Sequence, residues 1–162
     1  MASSVQGEPR STNAIDFVVD LRRDAVTVLA AELGPDYEVD VESLVEAVQR
    51  RSSWNIFHLP SMMKVDLFIR RPGAFDDSEF ERRSPTVVRP GESLFLKSPE
   101  DTVLRKLLWV QQGGGVSTTQ WRDVIEVLRV SGPKLDPGYL STWSTTLGIS
   151  DLLTRAQVES RL

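Results

Sequence analysis

Two aspartates carry the chemistry that this sequence could perform. In Ile15-Asp16-Phe17-Val18-Val19-Asp20-Leu21, the residues at 15, 17, 19 and 21 are apolar and share one strand face, which leaves Asp16, Val18 and Asp20 on the other. In Lys64-Val65-Asp66-Leu67-Phe68 a second acid lies in the same way between Val65 and Leu67. Side chains at i and i+2 of a strand share a face roughly 6.6 Å apart, so neighbouring strands could aim Asp16 and Asp66 at one point. A hard dication such as magnesium is held in that manner, by a few carboxylates plus the phosphate oxygens of its substrate. Alternation by itself also admits, and taken alone favours, a solvated acid on an edge strand.

The elements that must position these acids follow from the patterning around them. After the strand at Ile15 to Leu21, residues Arg22 to Leu33 place Val26, Leu29, Ala30 and Leu33 at helical spacing, and Gly34-Pro35 ends the run. Tyr37 to Val39 is a short strand candidate, and Asp40 caps a helix whose apolar face is Leu44, Val45 and Val48. Trp54 to Leu59 and Met63 to Arg70, separated by Pro60-Ser61-Met62, form a hairpin pattern. Residues 71 to 91 are rich in charge, Pro and Gly and hold at most a short helix near Ser78 to Arg83; Leu94-Phe95-Leu96 reads as a last strand.

Everything beyond is helical. Ser98-Pro99-Glu100-Asp101 supplies an N-cap, a proline at the first helical position and an acid three residues past the cap. The helix runs to about Gln112 on a Val103, Leu104, Leu107, Leu108 face and stops at Gly113-Gly114-Gly115, a C-cap and hinge. Ser117 with Gln120 opens a second helix with Trp121, Val124, Ile125 and Leu128 inward; Asp136-Pro137 starts a third that ends at Gly148, and Ser150 caps a fourth. The expected architecture is α/β or α+β: a mixed sheet with flanking helices over residues 1–97, followed by a C-terminal helical bundle over 98–162 packed on it as one compact unit.

The segments GEPRSTNAID, KVDLF, SPEDTVLRKL and QWRDVIEVL, spread over nearly the whole chain, resemble the nucleotidyltransferase superfamily, the polymerase-beta-like fold. The likeness is to small bacterial members related to abortive-infection toxin nucleotidyltransferases. It implies a nucleotidyltransferase-like sheet on which Asp16 is the second acid of an Asp-x-Asp pair and Asp66 the third carboxylate, the two holding magnesium. It further implies that Lys106 contacts nucleotide phosphates and that Asp123, on the next helix, helps set the site. Ser3 and Ser4 match the residues just after the Gly-Ser loop of the family and join Lys106 and Arg10 as nucleotide-binding candidates. Two departures are plain: Ala14 stands where the family has the first Asp, and the Gly-Ser ahead of the pair is absent. Such a loop holds triphosphate oxygens through backbone N–H groups and a hydroxyl, and two-ion transfer needs bridging carboxylates, so both departures bear on the chemistry.

The remaining polar residues read more simply. Arg10 precedes the strand in a loop, where it could reach a phosphate and could equally be plain surface charge. His58 is the sole histidine and alternates with Ile56 and Trp54, which suits a packed strand residue; one histidine makes no zinc site. The pairs Arg22-Arg23, Arg50-Arg51, Arg70-Arg71 and Arg82-Arg83 could line an RNA-facing edge, but they lack interleaved aromatics and read as surface charge. Trp54, Trp109, Trp121 and Trp143 sit at core-compatible positions.

Composition sets the outer limits. The chain has 162 residues, 19 Lys+Arg against 23 Asp+Glu, a net charge of −4 and 40% hydrophobic residues, which fits a folded domain and excludes a basic, histone-like binder. Residues 1–81 are acidic, with 8 basic and 15 acidic side chains, whereas residues 82–162 carry 11 and 8. Without cysteine there is no disulfide, thiolate metal site or cysteine nucleophile. The start MASSVQGEPR lacks the apolar core of a secretory signal, and no run approaches a membrane span. The expectation is a cytoplasmic protein with no membrane partner and no tight non-specific nucleic-acid binding.

Two functions follow as expectations. One is magnesium-dependent transfer of a nucleoside monophosphate from a nucleoside triphosphate to a hydroxyl on RNA, protein or a small molecule. The other is a catalytically degenerate relative acting in nucleotide sensing or a toxin–antitoxin type protein interaction. A helical interaction module over Pro99 to Leu162 is a third, unrelated possibility.

Overall fold

In the computed structural model, residues 14–113 and 118–161 are described. The described chain is mixed α and β, with seven α-helices and two small sheets. It divides into two units, one ending at Asp76 and the other beginning at Asp77. The division falls within a helix and not after residue 97, so the second unit includes a hairpin as well as the helices.

The first unit is a four-stranded sheet with two helices against it. Its strands are β1 (Ala14–Val19), β2 (Tyr37–Glu38), β3 (Ser53–His58) and β4 (Met63–Ile69), in the order β1-β4-β3-β2. β1 runs parallel to β4, while β3 is antiparallel to both β4 and β2. A single 3-10 turn, Arg23–Ala25, leads into α1 (Val26–Leu33), and α2 (Val41–Arg50) follows β2. Asp40 caps α2 as the sequence suggests: its Oδ1 accepts from the Ser43 N–H at 3.0 Å.

The alternation decides which face of the sheet is covered. Phe17, Val19, Val65, Leu67 and Trp54 lie on one face and pack with Val26 and Leu29 of α1 and Leu44, Val45 and Val48 of α2. Val26 and Leu44 are fully buried; each such side chain is worth about 1.5–3 kcal/mol of transfer free energy. Polar residues of β1 and β4 are thereby left together on the opposite face.

The second unit carries α3 (Ala74–Glu81) at its start, then β5 (Ser84–Arg89) and β6 (Glu92–Leu96), an antiparallel ribbon, then α4 (Pro99–Gln112), α5 (Thr118–Ser131), α6 (Pro137–Thr146) and α7 (Ser150–Glu159). β5 is absent from the sequence reading because Pro85 and the exposed Val87 and Val88 give it no alternating pattern. A two-stranded ribbon is all edge and so tolerates a proline. The helical core is formed by Val103, Leu104, Leu107 and Val110 of α4, Val124, Val127 and Leu128 of α5, Leu140 of α6, and Leu153 and Ala156 of α7. Val110 and Val127 take the buried places expected of Leu108 and Ile125, one turn or less away on the same helices.

The helix starts are mixed in outcome. Ser98 caps α4, accepting from the Asp101 N–H at 3.1 Å, and Asp136 caps α6 by accepting from Gly138 and Tyr139. Ser150 does not cap α7: it is the first helical residue, behind an apolar N-cap, Ile149. The proposed cap at Ser117 lies outside the described residues. No helix among the described residues is long and apolar enough to cross a membrane.

Candidate functional site

The parallel pairing of β1 with β4 sets Asp16 directly in register with Asp66. Adjacent strands are about 4.8 Å apart, and residues in register point to the same face, so the two carboxylates are neighbours. Asn55 of β3 is in register with Asp66 on its other side, which makes an Asp16–Asp66–Asn55 row across three strands. Asp16 is exposed, and the Asp66 side chain keeps 18% of its surface. Ala14 is in register with Lys64 one pleat earlier.

Lys64 joins this row, a place that strand alternation alone did not assign to it. Its Nζ lies 2.8 Å from Asp66 Oδ2. The signal was present in Lys64-Val65-Asp66, since i and i+2 share a strand face and a lysine stem is long enough to reach back. Asn55 could have been found only from the hairpin register, which depends on the geometry of the Leu59–Met62 turn.

Among the described residues, no group of three or more His, Asp or Glu side chains gathers where it could hold a metal ion. Asp16 and Asp66 by themselves offer two carboxylates in register, short of the bridging acids that a two-ion site needs. The Lys64 ammonium already satisfies one Asp66 oxygen and must give way if an ion binds there.

Lys106 and Asp123 belong to the second unit, where they meet each other. Lys106 on α4 and Asp123 on α5 form an ion pair with Nζ to Oδ2 at 2.7 Å, and Nζ also donates to Gln120 Oε1 at 2.7 Å. Both side chains are nearly buried, at 12% and 11% exposure. The pair ties two core helices together, with each charge compensated by the other.

A denser polar network surrounds the start of α4. Asp101 is fully buried; its Oδ1 accepts from the Tyr139 hydroxyl at 2.6 Å and its Oδ2 from Ser98 Oγ at 2.6 Å, with Arg82 Nε at 3.4 Å. Glu100 receives Arg82 and the Asp136 N–H. Burial and the Asp101 carboxylate push the Tyr139 phenol above its ordinary value of 10. Nearby, Glu79 of α3 is buried between Lys97 and Arg105, both at 2.7 Å. Burial alone would raise its carboxyl, but the two cations outweigh it and hold the group below the usual glutamate value. The sequence reading gave Glu100 and Asp101 only a capping role, because acids in a first helical turn ordinarily face water.

The other candidates are quickly placed. His58 Nδ1 is 2.6 Å from Ser61 Oγ and its ring lies against Tyr37, so it closes the β3 end of the hairpin. Trp121 donates to Glu159 and carries the Arg155 guanidinium on its ring. Ser3, Ser4 and Arg10 lie outside the described residues. No protein-family model matches the chain, and no curated protein matches it.

Proposed function

We propose that this is a nucleotidyltransferase-fold protein that binds a nucleoside triphosphate with one magnesium ion between Asp16 and Asp66, for transfer of a nucleoside monophosphate to a hydroxyl of RNA, protein or a small molecule. The single observation behind this reading is the β1–β4 register, which sets two acids from distant segments side by side on the sheet face away from the helices. A bound ion supplies neutralisation of the phosphate oxygens. Asp16 and Asp66 hold and orient it, and Asn55 supplies a neutral donor in the same row. Lys106 and Asp123 pair with each other in the second unit and are given no part in this site.

A second reading is favoured by a specific pair of observations. Ala14 removes one acid from the Asp-x-Asp pattern, and Lys64 compensates Asp66 within the protein itself. A chain with this arrangement suits nucleotide sensing or a toxin–antitoxin type protein interaction, without transfer.

The test is a calorimetric titration of each nucleoside triphosphate with and without magnesium, repeated on Asp66→Asn. Magnesium-dependent heat that vanishes in the variant supports the site. Its absence from the native protein removes the transfer reading and turns attention to a protein partner.

A further inference from the structure

Three of the four arginine pairs in the sequence converge at one end of the first unit. The topology forces this. β1 and β4 are parallel, so Arg22-Arg23 and Arg70-Arg71 leave the sheet at the same end. β3 is antiparallel to β4, with Ser53 opposite Phe68, so Arg50-Arg51 at the end of α2 arrive there too. Every arginine between residues 14 and 76 is in this group.

Half of these cations are compensated and half are not. Arg22 pairs with Asp24, Arg50 with Glu46 and Arg70 with Asp20. Arg23, Arg51 and Arg71 are exposed and have no carboxylate in ion-pair reach among the described residues. Two of the three are fixed to each other's segments: Arg51 Nη1 donates to the Arg70 carbonyl at 2.7 Å, and Arg71 Nε donates to the Arg51 carbonyl at 3.1 Å. Arg51 also occupies the left-handed position that ends α2, at φ 48°, where glycine is the usual residue. Only glycine, or to a lesser degree asparagine, would meet less strain in this conformation.

Between these segments lies a cleft of about 710 Å³, rimmed by Arg22, Arg23 and Arg51 and floored by Val45, Val48 and Ile69. That volume is within the range of small-molecule sites. Guanidinium groups over an apolar floor match a ligand with a phosphate at one end and an apolar body at the other. The lining holds no aromatic ring on which bases could stack, and Asp20 and Asp24 at the rim would repel a continuous phosphate backbone. The cleft is distinct from the paired acids: its floor belongs to the helix-packed side of the sheet, and Asp20 lies about 13 Å along the chain from Asp16.

We infer that this cleft binds a small phosphate monoester, independently of any metal, through Arg23 and Arg51 with Arg71 beside them. The test is titration with inorganic phosphate, phenyl phosphate and a ten-nucleotide RNA in EDTA, followed by calorimetry and amide chemical shifts. Phenyl phosphate is expected to bind more tightly than inorganic phosphate and to shift Thr27, Val45 and Arg51. Arg51→Asn, which suits a left-handed backbone, and Arg23→Gln, at an exposed turn, should each weaken it roughly tenfold. Asp66→Asn should leave it unchanged. If Arg51→Asn fails to fold, Arg23→Gln reads the same contact.

No phenyl phosphate binding, or binding indifferent to both arginine variants, overturns the inference. So does an RNA that binds far more tightly than phenyl phosphate, which would make this surface a nucleic-acid track. With EDTA present the outcome is separate from that of the magnesium titration, so either reading can fail alone.

Discussion

Asp66 faces Asp16 across the parallel β1–β4 pair and at the same time holds the Lys64 ammonium at 2.8 Å. One carboxylate therefore has two competing uses, as half of a cation site and as half of an internal ion pair. Which use dominates is open to direct measurement.

If the acids bind an ion, their neutral amides should remove that binding with little effect on folding. Asp16 is exposed and the Asp66 pair is partly exposed, so each contributes about 0–1 kcal/mol to stability. Asp16→Asn and Asp66→Asn should melt within roughly 3 °C of the native protein. Both should lose magnesium-dependent nucleotide binding by calorimetry. A large fall in melting temperature would instead assign the acids to the fold.

Lys64 should act as a built-in competitor. Lys64→Gln frees an Asp66 oxygen without altering the strand, and magnesium affinity should rise, by roughly threefold to tenfold, for a surface-type pair of about 1 kcal/mol. Ala14→Asp, in register with Lys64, places an acid two residues before Asp16 and should raise the affinity further. Titration of magnesium alone, followed by amide shifts at Asp16 and Asp66, reads both effects. An unchanged affinity in both variants would count against a shared cation site.

The contact between Lys106 and Asp123 is far less exposed than the one between Lys64 and Asp66, and its loss should be felt in stability. Lys106→Met takes the ammonium away from a nearly buried carboxylate, at a cost of about 2–4 kcal/mol. Adding Asp123→Leu should recover part of that loss, because the carboxylate that lost the Lys106 ammonium is then gone as well. Urea unfolding of the two single variants and the double variant gives the coupling energy. A coupling near zero would mean that Gln120 and solvent already satisfy Lys106.

How much of this could be read from the sequence depended on whether the signal was local. The shared face of Asp16 and Asp66 was legible because strand alternation fixes it, and the Ser98, Asp136 and Asp40 caps because each cap side chain accepts from the backbone N–H three residues on. The convergence of Arg23, Arg51 and Arg71 was not legible, since it depends on β4 pairing with both β1 and β3. The buried setting of Asp101 was hidden for a similar reason: its partners Arg82 and Tyr139 come from the residue after α3 and from α6. β5 carried no pattern, because of its residues only Thr86 is half-buried while Val87 and Val88 face solvent.

Glu79 gives the pH dependence its sign. Its folded carboxyl titrates below the ordinary value of 4.5, because Lys97 and Arg105 overcome the cost of burial. A depressed acid contributes stability that is fully present above the unfolded value and is lost as pH falls through the folded one. Stability should therefore hold above about pH 5 and decline from roughly pH 4.5 downward, as protonation leaves Lys97 and Arg105 facing a neutral group. Glu79→Gln mimics that state at neutral pH: it should cost about 2–4 kcal/mol at pH 7, much less at pH 3, and flatten the acid limb of a urea-midpoint profile. If the variant shows the same acid slope as the native protein, the limb belongs to other carboxylates, with Glu100 the first to test, since the Asp136 N–H and Arg82 likewise hold it low against its burial.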